Sequence, residues 1–201
     1  EIGVRLVGSE MCIRDSPEYG HTAGVDASTG PLGHGFAMGV GFAVAEAMLA
    51  AKYNKPEFTV IDHYTYGLTS DGDLMEGVAS EAASLAGTLG LGKLIYLYDD
   101  NKITIEGSTD IAFTEDVEAR FKAYGWQVLR VADSEDIEAM EAAVKEAQAD
   151  TEHPSLIIVR THIGYGSPKQ DSASCHGEPL GAEALALTKE KAGWPVGQPF
   201  Y

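Results

Sequence analysis

Lys93-Leu-Ile-Tyr-Leu-Tyr-Asp-Asp-Asn101 decides the fold of this chain. Its opening six residues form an apolar run without alternation, which suits a strand buried on both faces of a parallel sheet. Asp99-Asp100-Asn101 stands where that strand runs out. A second site of the same kind lies upstream. Phe58-Thr-Val-Ile61 and Tyr64-Thr-Tyr-Gly-Leu-Thr69 read as strands, and Ser70-Asp-Gly-Asp73 follows them. In open α/β sheets, ligands collect outside the carboxyl ends of strands. Mg²⁺ and Ca²⁺ take oxygen donors, and Mg²⁺ usually accepts only one or two from side chains, with water and phosphate oxygens completing its shell. A carboxylate and a carboxamide from two neighbouring strand ends therefore read as an anchor for Mg²⁺ (or Ca²⁺) and a diphosphate. The competing reading is that both stretches are turns, which Asp, Asn and Gly favour in any case.

Outward from these stretches, strands alternate with helices. Gly30-Pro-Leu-Gly-His-Gly35 opens a helix to about Lys52, and further helices are predicted over Leu74–Leu89, Glu115–Tyr124 and Glu135–Ala149. The last of these has apolar spacing at Ile137, Met140, Ala143, Val144 and Ala147. Trp126–Val131 and Ser155–Thr161 read as strands. The alternation predicts an α/β fold, a mostly parallel sheet with helices on both faces. The glycines at 30–35 permit close backbone approach to a ligand at a helix start. The nearest thing to a dinucleotide fingerprint, Gly39-Val-Gly41, lies inside the apolar helix instead of between strand and helix, which excludes that reading. Helix packing is the expected role of Gly39 and Gly41.

Composition narrows the function classes. A chain of 201 residues suits one domain with a substantial core, or one domain and part of another. Thirty-one acidic against 14 basic residues give a formal charge of −17, which disfavours nucleic acid and anionic membranes as partners. Cys12 and Cys175 make neither a disulfide framework nor a zinc pattern, so a reducing cytoplasm is expected. The most apolar stretch, Phe36 to Ala51, contains Glu46 and falls short of the ~20 residues a bilayer requires. It reads as a buried helix. Within residues 1–16, charges at Arg5, Glu10, Arg14 and Asp15 interrupt any signal-peptide core. That segment reads as a foreign leader joined at Ser16-Pro17, or as an ordinary poorly packed terminus. Residues 17–192 form the main domain, and the Pro/Gly-rich 193–201 resembles the start of a linker.

Several strings, in order, resemble transketolase: Pro17-Glu-Tyr-Gly-His-Thr-Ala-Gly-Val25, Thr29-Gly-Pro-Leu-Gly33, Asp62-His-Tyr-Thr-Tyr66 and Ser70-Asp-Gly-Asp-Leu-Met-Glu-Gly77. Ser84-Leu-Ala-Gly87, Tyr98-Asp-Asp-Asn-Lys-Ile-Thr-Ile-Glu-Gly107, Ala123-Tyr-Gly-Trp126 and Ile163-Gly-Tyr-Gly-Ser167 continue the likeness. It runs from Pro17 essentially to the end and covers most of the diphosphate-binding domain. The family's opening segment, pyrimidine-binding domain and C-terminal domain have no counterpart in these strings.

The resemblance implies a thiamine diphosphate-binding fold, thiamine diphosphate with Mg²⁺ (or Ca²⁺), and transfer of a two-carbon ketol unit from a ketose phosphate to an aldose phosphate. It implies that Asp71 binds the metal through its carboxylate, Asn101 through its amide oxygen and Ile103 through its backbone carbonyl. Gly72 would lie against the diphosphate, and Gly30, Pro31 and Leu32 would line the thiamine. Ser70 and His34 depart from the family pattern, which has glycine and glutamine there. His176 matches the family histidine that reaches both cofactor and substrate. A surface-loop histidine is the alternative. His21 and His63 lie in family-like strings without a transferable role. Adjacent Cys175 invites a Cys-His nucleophile, but neighbours in an extended loop point apart. Glu76 and Glu81 match glutamates that meet across the family's homodimer axis. On a single helix, five residues apart, they stand roughly 140° from each other and cannot form one site. Sugar phosphates are the implied substrates, and this chain by itself is expected to be inactive. A split transketolase, in which a second chain supplies the pyrimidine domain, and a dihydroxyacetone synthase are the alternatives.

Overall fold

The computed structural model describes residues 19–20 and 22–197. What is expected of residues 1–16, of His21 and of the last four residues lies outside that range. Four strands, β1 (Thr65–Ser70), β2 (Leu94–Asp100), β3 (Gln127–Val131) and β4 (Ser155–Arg160), form one sheet in the order β1-β2-β4-β3. All pairings are parallel. The helices are α1 (His34–Tyr53), α2 (Asp71–Met75), α3 (Gly77–Leu89), α4 (Val117–Ala123), α5 (Ile137–Ala149) and α6 (Ala182–Lys191).

Alternation along β2 and β4 divides the core. Leu94, Tyr96, Tyr98, Leu156 and Ile158 face α1, α3 and α4, where Phe36, Ala83 and Phe121 meet them. Ile95, Ile157 and Val159 face α5, through Ala143 and Ala147. The steps from β1 to β2 and from β2 to β3 run in one direction across the sheet, with helices on one face. The step from β3 to β4 runs back, with α5 on the other. Right-handed crossovers produce this arrangement.

Tyr96 is the centre of the larger half. Its ring stacks on Phe36 with centroids 4.3 Å apart, and its hydroxyl donates to the Phe36 carbonyl at 2.9 Å. A Cβ on Gly39 would lie 2.0 Å from that hydroxyl, and one on Gly67 would lie 2.1 Å from the ring. Gly39 therefore has the packing role expected of it. Gly41 faces open space and does not.

By length and composition α1, with a hydropathy of 1.4, could cross a membrane. In this fold it lays Phe36, Val40 and Ala43 into the core, and its buried Glu46 receives Lys93 Nζ at 2.7 Å. The uncovered part of the sheet is β1, whose face opposite α1 leaves Tyr66 50% and Leu68 62% exposed.

Two predicted elements differ. Phe58–Ile61 is not a strand: Asn54 Oδ1 accepts from the backbone N–H groups of Val60 and Ile61, and Asn54 Nδ2 donates to the Ile61 carbonyl at 2.7 Å. One side chain thus takes the groups that a sheet ladder would need. The single helix expected over 74–89 is two helices, broken at Glu76, whose ψ of 137° is extended.

Candidate active site

Ser70 pairs with Asp99 in the β1–β2 register, so Asp71 leaves one strand where its neighbour reaches Asp100 and Asn101. The two side chains expected to hold the metal, those of Asp71 and Asn101, thereby leave adjacent strands at one edge of the sheet. Asp71 is 4% exposed, and the Tyr98 hydroxyl donates to its Oδ1. Burial pushes the Asp71 carboxyl above its ordinary 3.8; the Tyr98 bond opposes this, and the nearby Asp100 and Asp99 charges reinforce it. Burial and the bond to Asp71 push the Tyr98 phenol up, which keeps it a donor.

Beyond β2 the chain turns at Lys102, in the left-handed region at φ 68°. Its Nζ lies 2.6 Å from Asp100 Oδ1. Asn101 Oδ1 accepts the Ile103 N–H at 2.8 Å, which leaves one lone pair on that oxygen for a cation. Ile103 is held in an isolated antiparallel bridge with Ser108. Among the described residues no three His, Cys, Asp or Glu side chains gather as a metal cage. A cation here would draw on one carboxylate, a carboxamide and a backbone carbonyl, which suits a hard ion that retains water and phosphate ligands. The buried, crowded Asp71 carboxylate fits a divalent countercharge. A cavity of about 260 Å³, lined by Asp71, Tyr98, Asp100, Lys102, Thr109 and Arg130 among others, lies beside it.

The Gly30–Gly33 loop stands over the same turn. Gly33, at φ 73°, donates its N–H to Asp73 Oδ1 at 2.8 Å. Asp73 Oδ2 accepts from the Ser70 N–H at 3.0 Å and from the Ser70 hydroxyl at 3.1 Å. A Cβ on Gly72 would meet Leu32 Cδ1 at 3.3 Å, so Leu32 rests directly on the bare backbone of Gly72. The structure therefore brings Leu32 onto Gly72 and Gly33 onto Asp73, a close approach that glycine at 72 permits, while Gly30 and Pro31, just before it, are exposed.

His176 ends the 3-10 turn Ala173–Cys175 in the loop after β4, at the same carboxyl edge, and is exposed. Among the described residues no hydrogen bond joins its ring to Asp71, Asn101 or Gly72. Cys175 Sγ donates to the Lys169 carbonyl at 3.2 Å, a structural role in its own loop. Glu76 and Glu81 are both exposed. The helical spacing reckoned between them does not apply, because Glu76 sits in the break and only Glu81 lies in α3. Val78, Leu85 and Leu89, spaced with Glu81 along α3, are exposed too.

Sequence reasoning missed three residues here. Asp73 was signalled by the Ser-x-x-Asp spacing from Ser70, a capping-box pattern. Tyr98 looked like another core aromatic of β2. Thr161, whose hydroxyl donates to Asp99, carried no signal.

A parallel sheet that gathers a buried aspartate, an asparagine and a glycine cradle at its carboxyl edge defines a diphosphate-binding α/β domain. The chain belongs to the family described as "Transketolase, thiamine diphosphate binding domain", whose model matches residues 6–201. It is 57% identical over 186 residues to a transketolase of Geobacillus stearothermophilus, covering 92% of this chain and 28% of that protein. To a Streptococcus pyogenes transketolase it is 57% identical over 178 residues, which is 89% of this chain and 24% of the relative. A transketolase from Pichia stipitis, solved with sedoheptulose 7-phosphate, superposes with a TM-score of 0.86 at 50% identity, over 90% of this chain and 27% of that one. The Leishmania mexicana transketolase superposes with the same TM-score, 0.86, at 47% identity, over 90% of this chain and 27% of that one. The chain thus spans about a quarter of the length of the relatives it matches.

Proposed function

We propose that this chain is the diphosphate-binding segment of a transketolase, with Asp71, Asn101 and the Ile103 carbonyl holding Mg²⁺ (or Ca²⁺) against a diphosphate. What supports the reading is the register, which ends β1 at Ser70 opposite Asp99 so that Asp71 and Asn101 emerge at adjacent strand ends, with Leu32 resting on Gly72. Tyr98 holds the Asp71 carboxylate in place, and Ile103 holds the Asn101 carboxamide. Gly72 lets the backbone reach the diphosphate, and Leu32 with Gly30 and Pro31 lines the thiamine. When bound, thiamine diphosphate supplies the carbanion and the electron sink needed to break and remake a carbon–carbon bond beside a ketose carbonyl. His176, whose imidazole can donate a hydrogen bond, would reach the diphosphate and a sugar phosphate. Sugar phosphates are the substrates, in ketol transfer of the pentose phosphate kind. The exposed side of α3, with Glu81 and the neighbouring Glu76, is a self-association surface in a homodimer, and the compartment is the cytoplasm.

Calorimetric titration with thiamine diphosphate tests this, on the wild-type chain and on Asp71→Ala, with Mg²⁺ and then with a chelator. Metal-dependent binding that disappears in the variant is the expected result; equal binding under all conditions would overturn the assignment. Ketol transfer is expected only when the remaining segments of a full-length transketolase are supplied, so turnover by the purified 201-residue chain would contradict that part.

A further inference from the structure

We propose that Asp73 is a positioning residue that latches the Gly30–Gly33 loop onto the Ser70–Asp73 turn and so fixes the distance between the two ends of the cofactor site. The proposal rests on the thiamine diphosphate reading above.

Ordinary helix capping accounts for only half of what this carboxylate does. Oδ2 takes the Ser70 N–H and hydroxyl, three residues away, as a capping box does. The helix that follows has only five residues and needs little support. Oδ1 is committed elsewhere, to the Gly33 N–H, 40 positions earlier in the chain. That bond closes on the first residue before α1 and on the loop whose Leu32 rests against Gly72. Three protein donors engage both oxygens of the Asp73 carboxylate, and a diphosphate would be repelled by its charge. Its effect on a ligand must pass through the two backbones it joins. Asp73 shares the turn with Asp71, so any shift of the latch moves the metal carboxylate relative to the thiamine-lining loop.

A ligand that touches both halves needs the latch, and a ligand that touches only the turn does not. The two can be told apart with Mg²⁺–thiamine diphosphate and Mg²⁺–inorganic diphosphate, titrated separately into the full 201-residue chain and into Asp73→Ala. Thiamine diphosphate is expected to weaken at least about tenfold, the scale of one lost charge-assisted hydrogen bond, and inorganic diphosphate less than about twofold. Amide hydrogen exchange at Gly33 is expected to quicken at least about tenfold in the unliganded variant, which reads the latch without any ligand. Equal weakening of both ligands, as a general loss of stability would give, overturns the proposal. So does unchanged thiamine diphosphate affinity. Should Asp73→Ala not fold, Asp73→Ser, whose single shorter hydroxyl can accept from Ser70 but cannot also span to Gly33, carries the same comparison, and an unmoved ratio between the ligands is again fatal. Wild-type chain that binds thiamine diphosphate without regard to metal overturns the functional reading and the latch together. Wild-type chain that binds as expected, beside a variant with an unmoved ratio, overturns the latch alone.

Discussion

The turn after β1 and the loop after β4 leave the same edge of the same sheet, yet they are held in place by different means. The turn is tied to distant chain: Asp71 to Tyr98, Asp73 to Gly33, Gly72 to Leu32. The loop that carries His176 is tied mainly to itself. Ser172 Oγ donates to the Lys169 carbonyl at 2.7 Å, Gly166 N–H donates to the Gln170 side chain at 2.9 Å, and His162 Nδ1 meets Asp171 at 2.9 Å. Thr161 and Arg160 moor its start to the end of β2. A metal needs ligands fixed by the core before it arrives, whereas a residue that meets a mobile substrate can sit on a self-organised arm.

If that contrast is right, replacements in the turn will trade stability against binding and replacements in the loop will not. The largest effect is expected for Asp71→Asn, which should reduce metal-dependent cofactor affinity by about a hundredfold, a few kcal/mol of lost charge interaction. The same variant should melt a few degrees higher without ligand, by about 1 kcal/mol at pH 7, because it removes a desolvated charge. Paired calorimetry and thermal melts would show both. Next comes Gly33→Ala. Its Cβ would lie 2.8 Å from Glu76 Cβ in a left-handed backbone, so urea unfolding should show a loss of about 1–3 kcal/mol. His176→Ala should lower cofactor affinity by about tenfold or less and leave the melting temperature unchanged, since its ring is exposed.

Acid separates the two regions by sign, with the smallest effects. Asp71 is shifted up, so its destabilising contribution is absent below 3.8 and grows as pH rises through the folded value. Asp171 is shifted down, chiefly by the His162 hydrogen bond, so its contribution is present above 3.8 and fades as pH falls through the folded value. Melting curves from pH 3 to 7 should therefore show Asp71→Asn gaining on wild type as pH rises, while Asp171→Asn loses slightly. Parallel curves would dissolve the contrast.

Most of the fold was legible because its strands are extreme. Leu94–Tyr98 and Leu156–Val159 are unbroken apolar runs, and a sheet covered on both faces accounts for both. The failures share a cause, a side chain or a backbone break acting across the boundaries that periodicity can see. Phe58–Ile61 has the composition of a strand, but Asn54 captures its backbone first. Leu74–Leu89 has the composition of one helix, but the chain bends at Glu76, where Gly33 needs room beside it. Asp71 and Asn101 could be placed at one edge from strand ends alone. The bonds that orient them, from Tyr98 and Ile103, depend on register and turn geometry that no spacing records.

The bare face of β1 has a practical outcome for anyone preparing this polypeptide. Tyr66 and Leu68 offer greasy side chains on the strand at the end of the sheet, where a foreign β-segment could dock and template precipitation. Leu68→Lys, on the face of β1 turned away from α1, should raise the concentration the sample tolerates.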